Sequence, residues 1–227
     1  MIIVTGASRG IGHYLFNHFL ENTNEKVVGI YNNTKPDKNL ELYYQLDITK
    51  HEDVQKFIDM IDNDLTDLTL INCAGITYNS FTHKSDQEKW KDVIDVNLIG
   101  SYNMIRSILP KMREERFGRI INFSSVVAIK PTAGVSAYSA SKSALWGLTK
   151  SVAIENAALN VTINNINLGY SELGMIEMVP EEFIKSIIDQ IPAGILCEPK
   201  DILNTVNYLR QTRYITGNSI DVSGGLI

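Results

Sequence analysis

The sequence predicts an α/β chain in which a doubly wound parallel sheet of about seven strands is flanked by helices. Three observations carry that reading. Short apolar runs rich in β-branched residues alternate with longer amphipathic stretches throughout the chain, the pattern of repeated strand–helix–strand units. The first run, Ile2–Thr5, leads into a glycine-rich turn that opens a helical pattern. No linker, internal repeat or low-complexity tract interrupts the 227 residues, a length that one domain accommodates.

Each element has its own signal. After Ile2–Thr5, residues 10–20 place Ile11, Leu15, Phe16 and Phe19 on one helical face. Residues 26–31 read as a second strand and 42–46 as a third, with the Asn/Lys/Pro stretch at 32–39 as the loop between them. Val54, Phe57, Ile58 and Ile61 recur at helical spacing, and residues 68–72 form a fourth strand ended by Ala74 and Gly75. Residues 90–112 carry a long helical stripe of Val93, Val96, Ile99, Met104, Ile105 and Ile108, with Pro110 expected to kink the helix or mark its last turn. Residues 119–123 make a fifth strand, 137–158 a second long helix and Val161–Leu168 a sixth strand. Residues 181–190 and 201–209 are helical, and Ser219–Val222 is a short last strand before Gly224 and Gly225.

Composition narrows the function classes. Hydrophobic residues make up 44% and charged residues 21%, the balance of an ordinary globular protein. A net charge of -5 argues against nucleic-acid binding and against a basic membrane-surface role. No apolar run approaches the ~18 residues of a membrane-spanning helix, and the start carries no basic segment of the signal-peptide kind. Two distant cysteines, Cys73 and Cys197, make neither a disulfide framework nor a metal site. They are expected to be free thiols in a reducing cytoplasm, and no metal is expected.

The turn runs Thr5-Gly6-Ala7-Ser8-Arg9-Gly10-Ile11-Gly12. Glycines here permit close backbone approach to a phosphate, and the following helix offers free N–H groups and the positive end of its dipole. The spacing G-x-x-x-G-x-G is not a P-loop, because no Gly-Lys-Ser/Thr follows. A strand, this turn and a helix in succession point to a dinucleotide-binding Rossmann fold. Such sites usually place an acid about 20 residues beyond the glycines to hold the ribose 2′-hydroxyl. Here Asn32 and Asn33 stand in that region, and the first acid, Asp37, lies beyond Pro36. The missing acid leaves room for a 2′-phosphate and Arg9 offers a cation for it, so NADP(H) is expected over NAD(H).

Tyr138 and Lys142 stand four residues apart, one turn of a helix. An ammonium held beside a phenol favours the phenolate, and the pair can exchange a proton with a carbonyl or alcohol oxygen. Ser125 falls at the end of the fifth strand, where ligands of parallel sheets bind, and Asn97 lies within the long helical stretch.

In ordered combination these residues resemble the short-chain dehydrogenase/reductase family. The likeness spans essentially the whole chain and rests on the glycine turn, Asp47, the run Asn72-Cys73-Ala74-Gly75, Asn97, Ser125 and the Tyr138/Lys142 pair. It implies one Rossmann domain, residues 1–227, holding the catalytic site and a substrate lid at about residues 170–192. It further implies that Tyr138 is the acid/base, Ser125 orients the substrate oxygen, Lys142 lowers the tyrosine pKa and holds the nicotinamide ribose, and Asn97 anchors a proton-relaying water. Gly6, Ser8, Arg9, Gly10, Ile11, Gly12, Asn32 and Asn33 then contact the cofactor. So do Asp47 and Ile48 at the adenine, Asn72, Ala74 and Gly75 alongside it, and Leu168 and Gly169 near the nicotinamide.

Within the family the chain is similar to bacterial 3-oxoacyl-(acyl carrier protein) reductases, through its glycine turn, the stretch Ile191–Gly194 and the closing Tyr214–Gly217. It departs from them at Leu168, where proline is usual, and at Leu173, where threonine is usual. Those reductases carry two basic residues near the cleft mouth; Arg116 matches the first, and Leu159 stands at the second. The expected substrate is a small carbonyl or alcohol, free or carrier-bound. Candidates are a 3-oxoacyl thioester, a polar intermediate of surface-polysaccharide synthesis and a xenobiotic ketone, with a dinucleotide-sensing regulator as the non-enzymatic alternative. The stretches 90–112 and 137–158 are apolar over more than one face, which calls for a partner. By the resemblance, they pair in a homotetramer or homodimer.

Overall fold

The computed structural model describes residues 1–61 and 65–227. Its centre is one parallel sheet of seven strands: β1 (Ile2–Thr5), β2 (Val27–Tyr31), β3 (Tyr43–Gln45), β4 (Thr69–Asn72), β5 (Gly118–Ser125), β6 (Val161–Leu168) and β7 (Ser219–Val222). Their spatial order is β3-β2-β1-β4-β5-β6-β7. The order reverses between β1 and β4, and the crevice outside the carboxyl ends of the strands at such a reversal is where open parallel sheets bind ligands.

Helices cover both faces. On one lie α2 (His51–Ile61), α4 (Ser101–Glu115) and α5 (Ser136–Asn156); on the other lie α1 (Gly10–Asn22) and α7 (Pro199–Gln211). The remaining helices are α3 (Gln87–Ile94) and α6 (Glu181–Ile188). The strands alternate their side chains between two cores. Ile3, Leu70, Ile120 and Ile163 pack with Phe57, Met104 and Val152, whereas Ile2, Ile71, Ile121 and Ile166 pack with Phe16, Ile202 and Val206. All these side chains are less than a tenth exposed, so apolar burial on both faces supplies the main driving force for the fold.

Several boundaries differ from the sequence reading for identifiable reasons. The long stretch at 90–112 becomes α3, a π-helical turn at Asp95–Gly100, and α4. The turn carries Asn97, and π turns of this kind cluster at functional sites. Pro110 neither ends nor caps α4, which continues to Glu115. Its lost N–H would have bonded the carbonyl of Arg106; both residues are exposed, so water can satisfy that carbonyl. The helix stops instead at Arg116, in the left-handed region with φ 52°. The third strand is shorter than expected, because Leu40–Leu42 winds into a 3-10 turn.

Candidate active site

A cleft of about 850 Å³ crosses the carboxyl ends of the strands. One wall is the turn between β1 and α1. Gly6 and Gly10 adopt φ of 65° and 53°, and a Cβ on Gly12 would lie 2.3 Å from the carbonyl oxygen of Gly6. The turn is therefore closed to side chains and can present its backbone to a ligand. Arg9 is the N-cap of α1 and is exposed; no side chain caps the helix, and its first turn holds no acid. The amides there remain available to an anion. The Ala7 carbonyl accepts from the hydroxyl of Tyr43, 3.3 Å away, and the Ala74 amide donates to Thr5 Oγ1 at 3.1 Å.

Ser8, Ile11, Asn32, Asn33 and Ile48 also line the cleft. Asp47 lines it too, its Oδ1 accepting from the amide and hydroxyl of Thr49 at 3.1 and 2.7 Å. No acid lines the end of β2. Cys73, Ala74, Gly75, Leu168, Gly169 and Leu173 line the middle. Asn72 does not reach the cleft: it is buried and donates to Asn122 Oδ1 at 2.9 Å.

The sheet and α5 bring Asn97, Ser125, Tyr138 and Lys142 together. Asn97, wholly buried, clasps Ile76 by accepting from its amide at 2.8 Å and donating to its carbonyl at 3.0 Å. Its Nδ2 also reaches Ser141 Oγ at 3.0 Å, and that hydroxyl donates to the carbonyl of Tyr138 at 2.8 Å. Ser141 is thus the strut between the π turn and the first turn of α5. The sequence reading passed over it, because a buried serine in a helix has no signal until its partners are known.

Tyr138 hydrogen-bonds Ser125, and burial pushes its phenol up to about 12, outweighing that bond. Burial thus acts against the lowering expected from Lys142. The Lys142 ammonium lies 5.5 Å from the ring centroid and donates to the carbonyl of Phe123 at 2.7 Å. Burial also brings Lys142 down to about 8, so desolvation drives both groups toward neutrality. Burial raises the neighbouring Cys73 thiol above its ordinary range, with Lys142 opposing.

Val126, Val127, Met175, Ile176 and Met178 also line the cleft, together with the polar Thr77, Asp92, Asp95, Ser171 and Glu177. Arg116 lies elsewhere. Its guanidinium donates to the carbonyl of Ala158 at the amino ends of β5 and β6, on the opposite side of the sheet from the cleft. Within one chain, then, neither Arg116 nor Leu159 stands at the cleft mouth.

Compared with known proteins, the chain matches the family model for short chain dehydrogenases over residues 1–182. The chain belongs to that family. This short chain dehydrogenase is also 34% identical to a 3-oxoacyl-(acyl-carrier-protein) reductase of Haemophilus influenzae, over 99% of this chain and 96% of that protein. It is 36% and 37% identical to acetoacetyl-CoA reductases of Shinella zoogloeoides and Rhizobium meliloti, in each case over 98% of this chain and 96% of the relative. It is an oxidoreductase acting on carbonyl or alcohol groups with a nicotinamide cofactor. Among the described residues no His, Cys, Asp and Glu group is arranged to hold a metal, and no helix is long and apolar enough to cross a membrane.

Proposed function

We propose that this dehydrogenase is an NADP(H)-dependent reductase of 3-oxoacyl thioesters with Tyr138 as its acid/base. The reading rests on one observation: Ser125, Tyr138 and Lys142 line the same cleft as a glycine turn whose amides are open to an anion, with Asn97 tied behind them through Ser141. The turn and the N-terminus of α1 fit a pyrophosphate. On this reading Arg9, Asn32 and Asn33, which line the cleft, take a 2′-phosphate, and Asp47 and Ile48, also in its lining, take the adenine. Bound there, the nicotinamide supplies hydride to a carbonyl carbon.

The remaining work falls to the chain. The phenol of Tyr138, protonated at neutral pH with or without the rise that burial adds, donates its proton to the carbonyl oxygen as that oxygen gains charge. The Ser125 hydroxyl hydrogen-bonds the same oxygen. The Lys142 ammonium stabilises the phenolate left behind. In oxidation the phenolate takes the proton back. The apolar side chains Val126, Val127, Met175, Ile176 and Met178 in the cleft lining suit an acyl chain. The names of the relatives point the same way.

The same reading takes the chain as one domain with residues 170–192 as its lid, placed in the cytoplasm, where the free thiols Cys73 and Cys197 persist. It also takes the chain as a homotetramer or homodimer. Gly147, in the middle of α5, has nothing within 4 Å of its Cβ position, and Ile154, two turns along the same face, is 85% exposed. A mid-helix glycine costs about 1 kcal/mol relative to alanine and gains nothing within one chain, which supports a helix face that meets a second copy. Light scattering tests the assembly; a mass of 25.4 kDa at full activity refutes it. NADPH oxidation with acetoacetyl-CoA, an acetoacetyl carrier protein and a nucleotide keto-sugar tests the substrate. The thioesters are expected to have the highest kcat/KM, and turnover of the keto-sugar alone overturns the proposal.

A further inference from the structure

Beneath α5 the sheet is polar where a parallel sheet covered on both faces is ordinarily apolar. Asn165 and Asn167 on β6 point at the helix and are 0% and 1% exposed. Strand register sets them in two rows: Asn72, Asn122, Asn165 and Ser219 in one, and Ser124, Asn167 and Asp221 in the other. The helix meets these rows with Lys142, Trp146 and Thr149. Trp146 Nε1 donates to Asn167 Oδ1 at 3.0 Å and to Ser124 Oγ at 3.1 Å. The Ser124 hydroxyl donates to the carbonyl of Lys142 at 3.1 Å, and Asn167 Nδ2 donates to Asp221 Oδ1 at 2.6 Å.

We propose that Trp146 and Asn167 are positioning residues for the reaction centre. Their hydrogen bond, anchored by Ser124 and Asp221, fixes α5 on the sheet and so sets where the Lys142 ammonium lies relative to Tyr138. Three arguments converge. First, Leu148, Val152 and Ala153, which pack α5 on the apolar core, lie roughly 15–20 Å along the helix from Tyr138, and nearer to it the buried apolar positions of the helix are Ala137 and Leu145. Apolar packing is non-directional and tolerates small slides and rotations, whereas hydrogen bonds do not. Second, two buried amides and an indole N–H are costly unless all are paired, and the observed placement of the helix pairs Trp146 with Asn167 and Thr149 with Asn165. Third, both ends of Lys142 are held by consecutive residues of β5, its ammonium by Phe123 and its carbonyl by Ser124. Trp146, one turn further on, secures Ser124. A displacement of 1 Å at a reaction centre can lower turnover by about 100-fold, so this bond bears on rate as well as on stability.

The proposal rests on the reading of Tyr138 and Lys142 as the reaction centre, and Tyr138→Phe with normal turnover would sink that reading separately. The variants for this proposal are Trp146→Phe, which removes the indole donor, and Asn167→Leu, which removes the acceptor at similar volume. Steady-state kinetics with acetoacetyl-CoA and NADPH are followed from pH 6 to 9.5, alongside NADPH affinity measured by fluorescence over the same range. In folded variants kcat is expected to fall by at least about tenfold with acetoacetyl-CoA KM little changed. The pH profile of kcat and that of NADPH affinity should both move by roughly half a unit or more, a displacement that a purely structural role would not produce. The double variant should be no slower than the slower single one, because both cut the same bond. Unchanged kcat and pH profiles in the two single variants overturn the proposal. If either fails to fold, Asp221→Ala decides, because Asp221 is exposed and its loss frees Asn167 without opening the core. A drop of about threefold or more in kcat with the same pH displacement supports positioning; wild-type behaviour overturns it.

Discussion

Lys142→Met should make the protein more stable at pH 7 while it destroys turnover. Lys142 is 5% exposed, and burial brings its ammonium from 10.5 down to about 8. At pH 7 the lysine is protonated both in the fold and in the unfolded chain, so the native state bears the full desolvation penalty. A displacement from 10.5 to about 8 corresponds to about 3 kcal/mol. Methionine fills nearly the same volume without a charge. Against that gain stands the loss of the 2.7 Å charged bond to the Phe123 carbonyl, worth about 1.5–3 kcal/mol. The net expectation is a gain of up to about 1.5 kcal/mol. It also has a pH signature. Between about 8 and 10.5 the unfolded chain binds more protons at this position than the native one, so the wild type gains stability as pH rises through that window. The variant lacks this increment, and its advantage should shrink. Urea midpoints for both proteins at pH 7 and pH 9.5, at one protein concentration because assembly is linked to stability, give the comparison. A variant less stable than wild type at pH 7, or an advantage that does not narrow at pH 9.5, would refute the reasoning.

Tyr138→Phe should lower kcat by about 10²–10⁴-fold, since it removes the proton-transfer group, while calorimetry finds NADPH affinity nearly intact; near-normal kcat would remove Tyr138 from the mechanism. Arg9→Ala should weaken NADPH by about tenfold through loss of a charge-assisted contact and leave NADH nearly unchanged, and equal weakening of the two would show that Arg9 does not face the 2′-phosphate. Gly12→Ala must displace the turn, because its Cβ would lie 2.3 Å from the Gly6 oxygen. Loss of NADPH binding and a destabilisation of about 2 kcal/mol or more are expected, and an unaltered Kd would mean that the turn does not cradle the cofactor.

The layout of strands and helices was legible because it depends on signals local in sequence. The β-branched runs at Ile2–Thr5, Val161–Leu168 and Ser219–Val222 are strands over those same residues. Ile2–Thr5 is buried on both faces and leaves a continuous apolar trace, whereas the other two keep the β-branched residues that favour strands. What escaped the sequence depends on what a residue faces. Pro110 carries a strong breaking signal, yet α4 runs through it, where Pro110 and Arg106 are both exposed and water can satisfy the freed carbonyl. The π turn at Asp95–Gly100 has no periodicity of its own, and it takes shape around the clasp of Asn97 on Ile76.

The candidate site divides along the same line. Its glycine turn and its Tyr138/Lys142 spacing are short-range patterns with a chemical reason, and the fold sets both against one cleft. The sense of the tyrosine's pKa shift was not legible, because spacing shows that a lysine is near but not how deeply both groups are buried. Asn165 and Asn167 show the limit most sharply. They alternate in phase with Val161 and Ile163, which are core positions, so their polarity conflicts with their place in the strand. From sequence alone, that conflict argues for exposure of the end of β6 or for a slipped register. It resolves only when Asn167 is seen level with Ser124 and Asp221 and opposite Trp146. Each of those partners is distant in sequence and unremarked by itself. A buried amide that fits only one arrangement of four distant residues specifies that arrangement, and here it is the arrangement that holds the helix carrying Tyr138 and Lys142.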